Sequence, residues 1–257
     1  MEQNEHQIDI LIHQLLDIGE AMLLAGAEVD RVEDTLCRLG AAYGAERTNI
    51  FVITACIVVT LGFADKPETT QTRRILGVGS TDFRKLEQLN ALSRAVTADP
   101  IPAEQLRDRV QLIVREQPPT YKAYIGSVIA AAGFTLFFGG SGWDSLVAAA
   151  AAVLICLAQQ YLMLNTTSRL FFDFGCCFGV GLLITALTRC FPELHADLIM
   201  IGDIMLLIPG LLITSAARSI FLGDSISGIE KLMESLLLAA SIAAGFVLAV
   251  WVMGGIG

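Results

Sequence analysis

Apolar and polar positions follow two regimes along the chain, periodic before residue 122 and nearly uninterrupted after it. In Gln7–Ala25, Ile8, Leu11, Ile12, Leu15, Leu16, Ile18, Met22 and Leu23 trace one face of a helix, and Gly26 breaks it. Glu28–Tyr43 predicts a second helix with Val29, Val32, Leu36 and Leu39 inward, closed by Gly44. The β-branched runs Thr48–Leu61 and Thr69–Val78 predict strands on either side of Asp65-Lys66-Pro67-Glu68, a turn signal. Two amphipathic helices follow, Asp82–Val96 and Ala103–Glu116, and Pro118-Pro119 reads as a linker. Residues 1–120 therefore predict an α+β or α/β domain.

Beyond it lie five apolar runs: Ala123–Gly139, Leu146–Leu164, Leu170–Leu187, Leu198–Ala217 and Leu236–Met253, each 17 to 20 residues long. A helix needs about 20 residues to cross the hydrocarbon, with roughly 17 as the lower bound. A buried soluble bundle would show polar faces at helical spacing, and the run from Leu146 to Ala158 has none. Residues 121–257 therefore predict an α-helical membrane domain of five transmembrane helices in a lipid bilayer. If the first domain is cytoplasmic, Arg115, Lys122, Arg169, Arg218 and Lys231 flank the spans on the inner side and Arg189 lies outside. That asymmetry follows the positive-inside rule and places the short C-terminus on the far side of the membrane.

Charge sharpens the division. Residues 1–122 carry 13 Lys/Arg and 18 Asp/Glu, whereas residues 123–257 carry 4 and 8. A net charge of −9 without a basic stripe excludes nucleic acid as a partner. The acidic N-terminus lacks the basic and apolar regions of a cleaved leader. Six cysteines without a CxxC pair read as buried thiols, and His6, His13 and His195 are too scattered for a metal site. Gly77-Val-Gly-Ser80 lacks the lysine of a phosphate-binding loop and reads as a strand-to-helix turn. No cofactor and no catalytic constellation is expected. The first, second and fifth runs are rich in Ala, Gly and Ser, which lets helix backbones approach closely in lipid.

Polar groups within the spans are the candidate chemistry, because an ionisable side chain in lipid costs several kcal/mol. Asp203 lies inside the fourth run, and Pro209 and Gly210 follow, where a kink or break is expected. Broken helices beside an acid expose backbone polar atoms in many secondary transporters. The competing reading is an acid that snorkels to the interface. Asp173 near the inner end of the third run is a pathway group or an interfacial acid, and Gln159, Gln160, Asn165 and Thr166 line a route or join helices. Arg218 attracts an anionic substrate or sets topology. Gly223-Asp-Ser-Ile-Ser-Gly228 reads as a turn and N-cap before the last helix. In the first domain, Glu28, Asp30, Arg31, Glu33 and Asp34 form a dense charge run, a solvated face or a Glu28–Arg31 bond.

Two stretches together resemble the threonine/serine exporter family. Leu24-Ala-Gly-Ala-Glu-Val-Asp-Arg-Val-Glu-Asp-Thr-Leu-Cys-Arg-Leu is similar to the signature of that family's cytoplasmic domain, and Leu207-Ile-Pro-Gly with Gly223-Asp and Ser227-Gly228 to its later membrane motif. The matching positions are Gly26, Ala27, Glu28, Arg31, Glu33, Pro209, Gly210, Gly223, Asp224 and Gly228. Around the arginine after Pro-Gly, where the family pattern has Asn and Asp, this chain has Ser215 and Ser219. The resemblance implies a proton-driven exporter of threonine and serine. Five spans, about half the number in single-chain members, imply the large subunit of the split form. That form works with a small membrane subunit and is associated with succinate export. The expected function is export of a small carboxylate, an amino acid or a dicarboxylate, across a bacterial inner membrane, with further copies of the chain among the expected partners. Two other classes remain open at this point: a membrane-anchored metabolite sensor or enzyme whose soluble domain carries the activity, and an assembly scaffold.

Overall fold

A computed structural model describes residues 2–64, 66–76, 81–116, 120–162 and 168–254. The expected elements at Gly77–Ser80, Pro118-Pro119, Asn165 and Thr166, and Asp65 of the turn, lie outside the described residues. The chain forms two compact units. One comprises residues 1–117 with 218–228, the other residues 118–217 with 229–257.

In the first unit, α1 (Glu2–Leu24) and α2 (Val29–Ala42) precede β1 (Arg47–Ile53), β2 (Cys56–Gly62) and β3 (Thr69–Arg74), and α3 (Phe83–Ala98) and α4 (Ala103–Arg115) follow. The sheet order is β1-β2-β3 and both pairings are antiparallel, with Ile53 opposite Cys56 and Leu61 opposite Thr69. Among the described residues every strand pairing is antiparallel, which is the α+β form of the expected domain rather than the α/β form. The sheet also divides Thr48–Leu61 into two strands around Thr54-Ala55, a turn without the Gly, Pro or Asn that marks most hairpins.

Period-two burial decides which face of the sheet packs. Ile57, Val59 and Leu61 of central β2 are fully buried and join Ile12, Leu15, Leu16, Met22, Leu36, Leu39, Leu89 and Leu106 from the four helices in one core. Gly19 lets α1 approach that layer, since a Cβ there would stand 2.9 Å from Ile57 Cδ1. The polar strand β3 is fixed from outside the core: Arg73 Nη1 donates to Asp17 Oδ1 at 2.8 Å and Glu20 Oε2 at 2.7 Å. Tyr43 donates to Ile101 O at 2.7 Å, and burial pushes its phenol above the usual range. Glu33 has a similar fixing role, because its Oε1 accepts the Val52 N–H at 2.8 Å and occupies a donor on edge strand β1.

The second unit is a helical bundle of α5 (Thr120–Phe137), α6 (Gly142–Tyr161), α7 (Arg169–Cys190), α8 (Ala196–Leu207), most of α9 (Gly210–Phe221) and most of α10 (Ser225–Val252). Among the described residues α6, α7 and α10 are long and apolar enough to cross a membrane, and α8 with α9, bent by 50°, brings the number of candidate spans to four. The first expected span, α5, is a shorter apolar helix. Five apolar segments are therefore present, and four reach spanning length.

Contacts along the helices fix their directions. Tyr124 donates to Gln160 Oε1 at 2.6 Å and Ser145 to Ala132 O at 3.3 Å, so α5 and α6 are antiparallel. Helices α7 and α10 run parallel: Ser241 donates to Leu170 O at 2.5 Å, a Cβ on Gly245 would stand 2.7 Å from Phe174 O, and a Cβ on Gly181 would stand 2.8 Å from Ala249 Cβ. Ser241, Gly245 and Ala249 recur every fourth residue and form one small-residue face, the close-approach device of helices in lipid.

Asp144 locks one end of the bundle, and it carried no role in the sequence reading. Its side chain is fully buried. It completes a capping box with Ser141, with Ser141 N donating to Oδ2 at 2.8 Å and Asp144 N donating to Ser141 Oγ at 3.1 Å. Its Oδ1 also accepts the His195 N–H at 2.8 Å, and His195 Nδ1 lies 3.1 Å from Oδ2. One carboxylate thus ties the start of α6 to the turn before α8. Replacing Asp144 by Ala removes a cap and leaves the Ser141 and His195 N–H groups without their acceptor. The expected cost is about 2–4 kcal/mol. Thermal unfolding of the full chain in detergent should show a clear loss of stability for Asp144→Ala and a smaller one for Asp144→Asn.

Candidate functional site

The site is built on α8. Ile199, Met200, Gly202, Asp203 and Leu207 are its buried residues, and this spacing forms a single stripe turned into the bundle. Asp203 sits in the middle of that stripe and is fully buried. Among the described residues neither carboxylate oxygen has a hydrogen-bond partner. The geometry decides between the two readings of Asp203: the side chain faces helices rather than snorkelling to an interface. A buried polar group without a partner is costly, and an isolated carboxylate is tolerated only with a proton or a counter-charge.

Gly202 explains how the neighbouring helix reaches this stripe. A Cβ there would fall 2.1 Å from Thr135 Oγ1 and 2.8 Å from Ala131 O, so α5 packs directly on α8 beside the acid. The Thr135 hydroxyl is occupied, donating to Ala131 O at 2.9 Å. Helix α7 also packs against α8, and it carries Asp173, Cys176 and Cys177. Asp173 is buried and has Arg169 Nε 3.7 Å from its Oδ2.

The break after α8 falls where the proline required it. Pro209 has no N–H to continue the ladder, Ile208 is in an extended conformation, and Gly210 N–H turns back to Ile208 O at 2.8 Å. Helix α9 restarts at Gly210, with Ile213 N donating to Pro209 O at 3.0 Å. Farther along, Ser215 Oγ accepts from Lys231 Nζ at 3.3 Å, and Lys231 is buried although its sequence context suggested only a topological role.

The remaining motif residues lie in the first unit, where the two family-like stretches meet. Arg218 Nη1 is 3.0 Å from Glu28 Oε1, so the expected Glu28–Arg31 bond is replaced by an ion pair with a residue far along the chain. Gly26 closes α1 with φ +88°, and a Cβ there would press to 3.2 Å against Thr81 Cα. Gly223 has φ +95°, and Asp224 Oδ1 accepts the Ser227 N–H at 3.3 Å, an N-cap for α10 as its sequence predicts. Gly228 falls in the first turn of that helix. Arg31 lies on α2 and borders a cavity considered below.

Substituting Gly202 by Ala should disturb this arrangement by forcing α5 from α8, at a cost of about 1–3 kcal/mol. Gly210→Ala is the control, because nothing lies within 4 Å of a Cβ at that position. Thermostability of the two variants in detergent, measured by monodisperse recovery after heating, should fall for the first and hold for the second.

Among the described residues no group of three or more His, Cys, Asp or Glu side chains is placed to hold a metal ion. No curated protein and no solved structure matches the chain. A family model described as "Putative threonine/serine exporter" matches residues 13–253, across both units and all the candidate site residues. The chain belongs to the threonine/serine exporter family, a family of membrane transporters.

Proposed function

We propose that this chain is the larger subunit of a secondary-active exporter of small carboxylate metabolites, with Asp203 and the Pro209–Gly210 break in the substrate or proton pathway. The observation that carries the reading is a fully buried carboxylate without a partner, six residues before an interrupted helix. Such a group is costly to keep unless a passing ligand or proton uses it. Asp173 and Arg218 are assigned to the same route, Asp173 as a buried acid on α7, which packs against α8, and Arg218 through its position on α9. The substrate class extends from threonine and serine to a dicarboxylate such as succinate. Ser215 and Ser219, in place of the Asn and Asp of the family pattern, remove a possible partner for a substrate ammonium, which favours the dicarboxylate.

We place the first unit in the bacterial cytoplasm and let the bundle cross the inner membrane five times, α5 included. The contacts of α5 with α6, of Asp144 with His195 and of Gly254 with Arg189 support this reading. They gather the end of α5, the start of α6, the end of α7, the start of α8 and the end of α10 at one end of the bundle. Exposed Phe137, Trp143, Phe191 and Trp251 lie at that end, as an interfacial aromatic belt would. A small membrane subunit is assigned as partner. Gly175 and Gly179 on α7, four residues apart, are exposed and have open space where a Cβ would stand, which suits a closely packed neighbouring helix.

The test is efflux of labelled threonine and succinate from cells lacking this chain, then restored with and without a small membrane protein encoded beside it. Wild type with the partner should restore export of one substrate, and Asp203→Asn should reduce it to background while reaching the membrane in equal amount. Full export by Asp203→Asn would remove Asp203 from the pathway. Restored export without any partner would remove the second subunit.

A further inference from the structure

We propose that the groove between α2 and α3 in the first unit is a binding site for a small dianion, distinct from the membrane pathway. The groove has a volume of about 390 Å3 and is lined from α2 by Arg31, Asp34, Thr35 and Arg38, and from α3 by Asn90, Ser93, Arg94 and Thr97. That volume falls in the range of small-metabolite pockets. Three arginines converge on it in a chain of net charge −9.

The pairing within the cluster leaves a definite charge. Arg38 is joined to Asp34, to its carboxylate and to its carbonyl oxygen, one turn earlier on α2. Of the four carboxylates within one helical turn of Arg31, Glu28 and Asp34 stand three residues away, on its own face of the helix, and Asp30 and Glu33 do not. Glu28 is taken by Arg218 and Asp34 by Arg38. Neither Arg31 nor Arg94 has an ion pair or hydrogen bond among the described residues, so the groove presents two uncompensated guanidinium groups, and a ligand with two negative charges neutralises it.

The floor is polar as well, although the Ser93 and Thr97 hydroxyls give their protons to α3 carbonyls, so the donors to an anion are the guanidinium groups and Asn90. Thr35 and Ser93 are buried, at 5% and 7% exposure, so the groove bottom is polar rather than an apolar core surface. Ser93 Oγ donates to Asn90 O at 3.0 Å and Thr97 Oγ1 to Ser93 O at 2.7 Å, which holds both hydroxyls along α3. The Asn90 side-chain amide has no partner among the described residues, and it supplies two N–H donors at the groove. Planar guanidinium groups bind carboxylate and phosphate oxygens in pairs, so a free dicarboxylate and the phosphate group of a metabolite share the chemistry this groove selects.

The test measures binding of inorganic phosphate and of succinate to the full chain in detergent by titration calorimetry. It is run at mildly alkaline pH, where phosphate carries two charges, and at constant ionic strength in chloride so that simple screening cancels. Saturable binding of either anion to wild type is expected, weakened about tenfold or more in the Arg31→Gln/Arg94→Gln double variant. Arg115→Gln, an exposed arginine outside the groove, should bind as wild type does. The Lys double variant should recover part of the affinity, showing that the charge rather than the fold was lost. Binding of phosphate alone identifies a phosphate-bearing ligand, and binding of succinate alone a free dicarboxylate. Asp203→Asn should bind unchanged, so failure of the exporter reading leaves this result intact. Absence of saturable binding by both anions, or equal affinity in the Gln double variant, overturns the site.

Discussion

A carboxylate shut inside an apolar helix bundle, with both oxygens unpaired, is the constraint around which the membrane unit is organised. Burial of a single charge can cost as much as a substantial part of a domain's net stability, so such a group persists only where packing holds the surrounding helices in place. The packing here is of the close-approach kind. Gly202 admits α5 to the stripe that carries Asp203, and Gly181 and Gly245 bring α7 and α10 together on the other side. Small residues at these crossings exclude the side chains that would otherwise fill the space. What remains is a firm scaffold with one polar group that its own helices do not satisfy.

The interruption at Pro209 belongs to the same logic. A continuous helix over residues 196–221 would keep its backbone groups to itself, whereas the 50° bend between α8 and α9 frees some of them near the acid. The first unit is tied together in its own way. It contains residues 218–228 as well as the N-terminal domain, and the Glu28–Arg218 pair joins the two family-like stretches within it. An exposed ion pair of this kind adds little stability, about 0–1 kcal/mol, so its value lies in register rather than strength. It also commits Glu28 and leaves Arg31 free, which is how the membrane motif and the α2–α3 groove become linked through one carboxylate.

Much of this was legible from residue patterns, and the parts that were not share a physical cause. The helix faces of α1 and α2, the proline break and the cap of α10 each depend on neighbours a few positions away, and local spacing records them. The burial of Asp203 was left undecided because an inward acid and a snorkelling acid have the same sequence; only the stripe from Ile199 to Leu207 separates them. The hairpin at Thr54-Ala55 was hidden because its turn lacks the usual residues. Contacts between distant segments escaped altogether: Asp144 with His195, Lys231 with Ser215, Glu28 with Arg218 and Glu33 with the edge of β1. In each, an ordinary-looking charged residue acquires its role from a partner that periodicity cannot name. Asp144 and Lys231 carried one signal in advance, a charge at the rim of an apolar run.

The central claim is that the Asp203 carboxyl lies in an apolar, water-poor setting that the transported molecule or its accompanying proton can reach. Labelling of the lipid-reconstituted full chain with a hydrophobic carbodiimide, read by mass spectrometry, tests it most directly. The account predicts modification at Asp203 that an excess of the exported carboxylate suppresses. An unmodified Asp203, or modification to the same extent with and without that carboxylate, would contradict it.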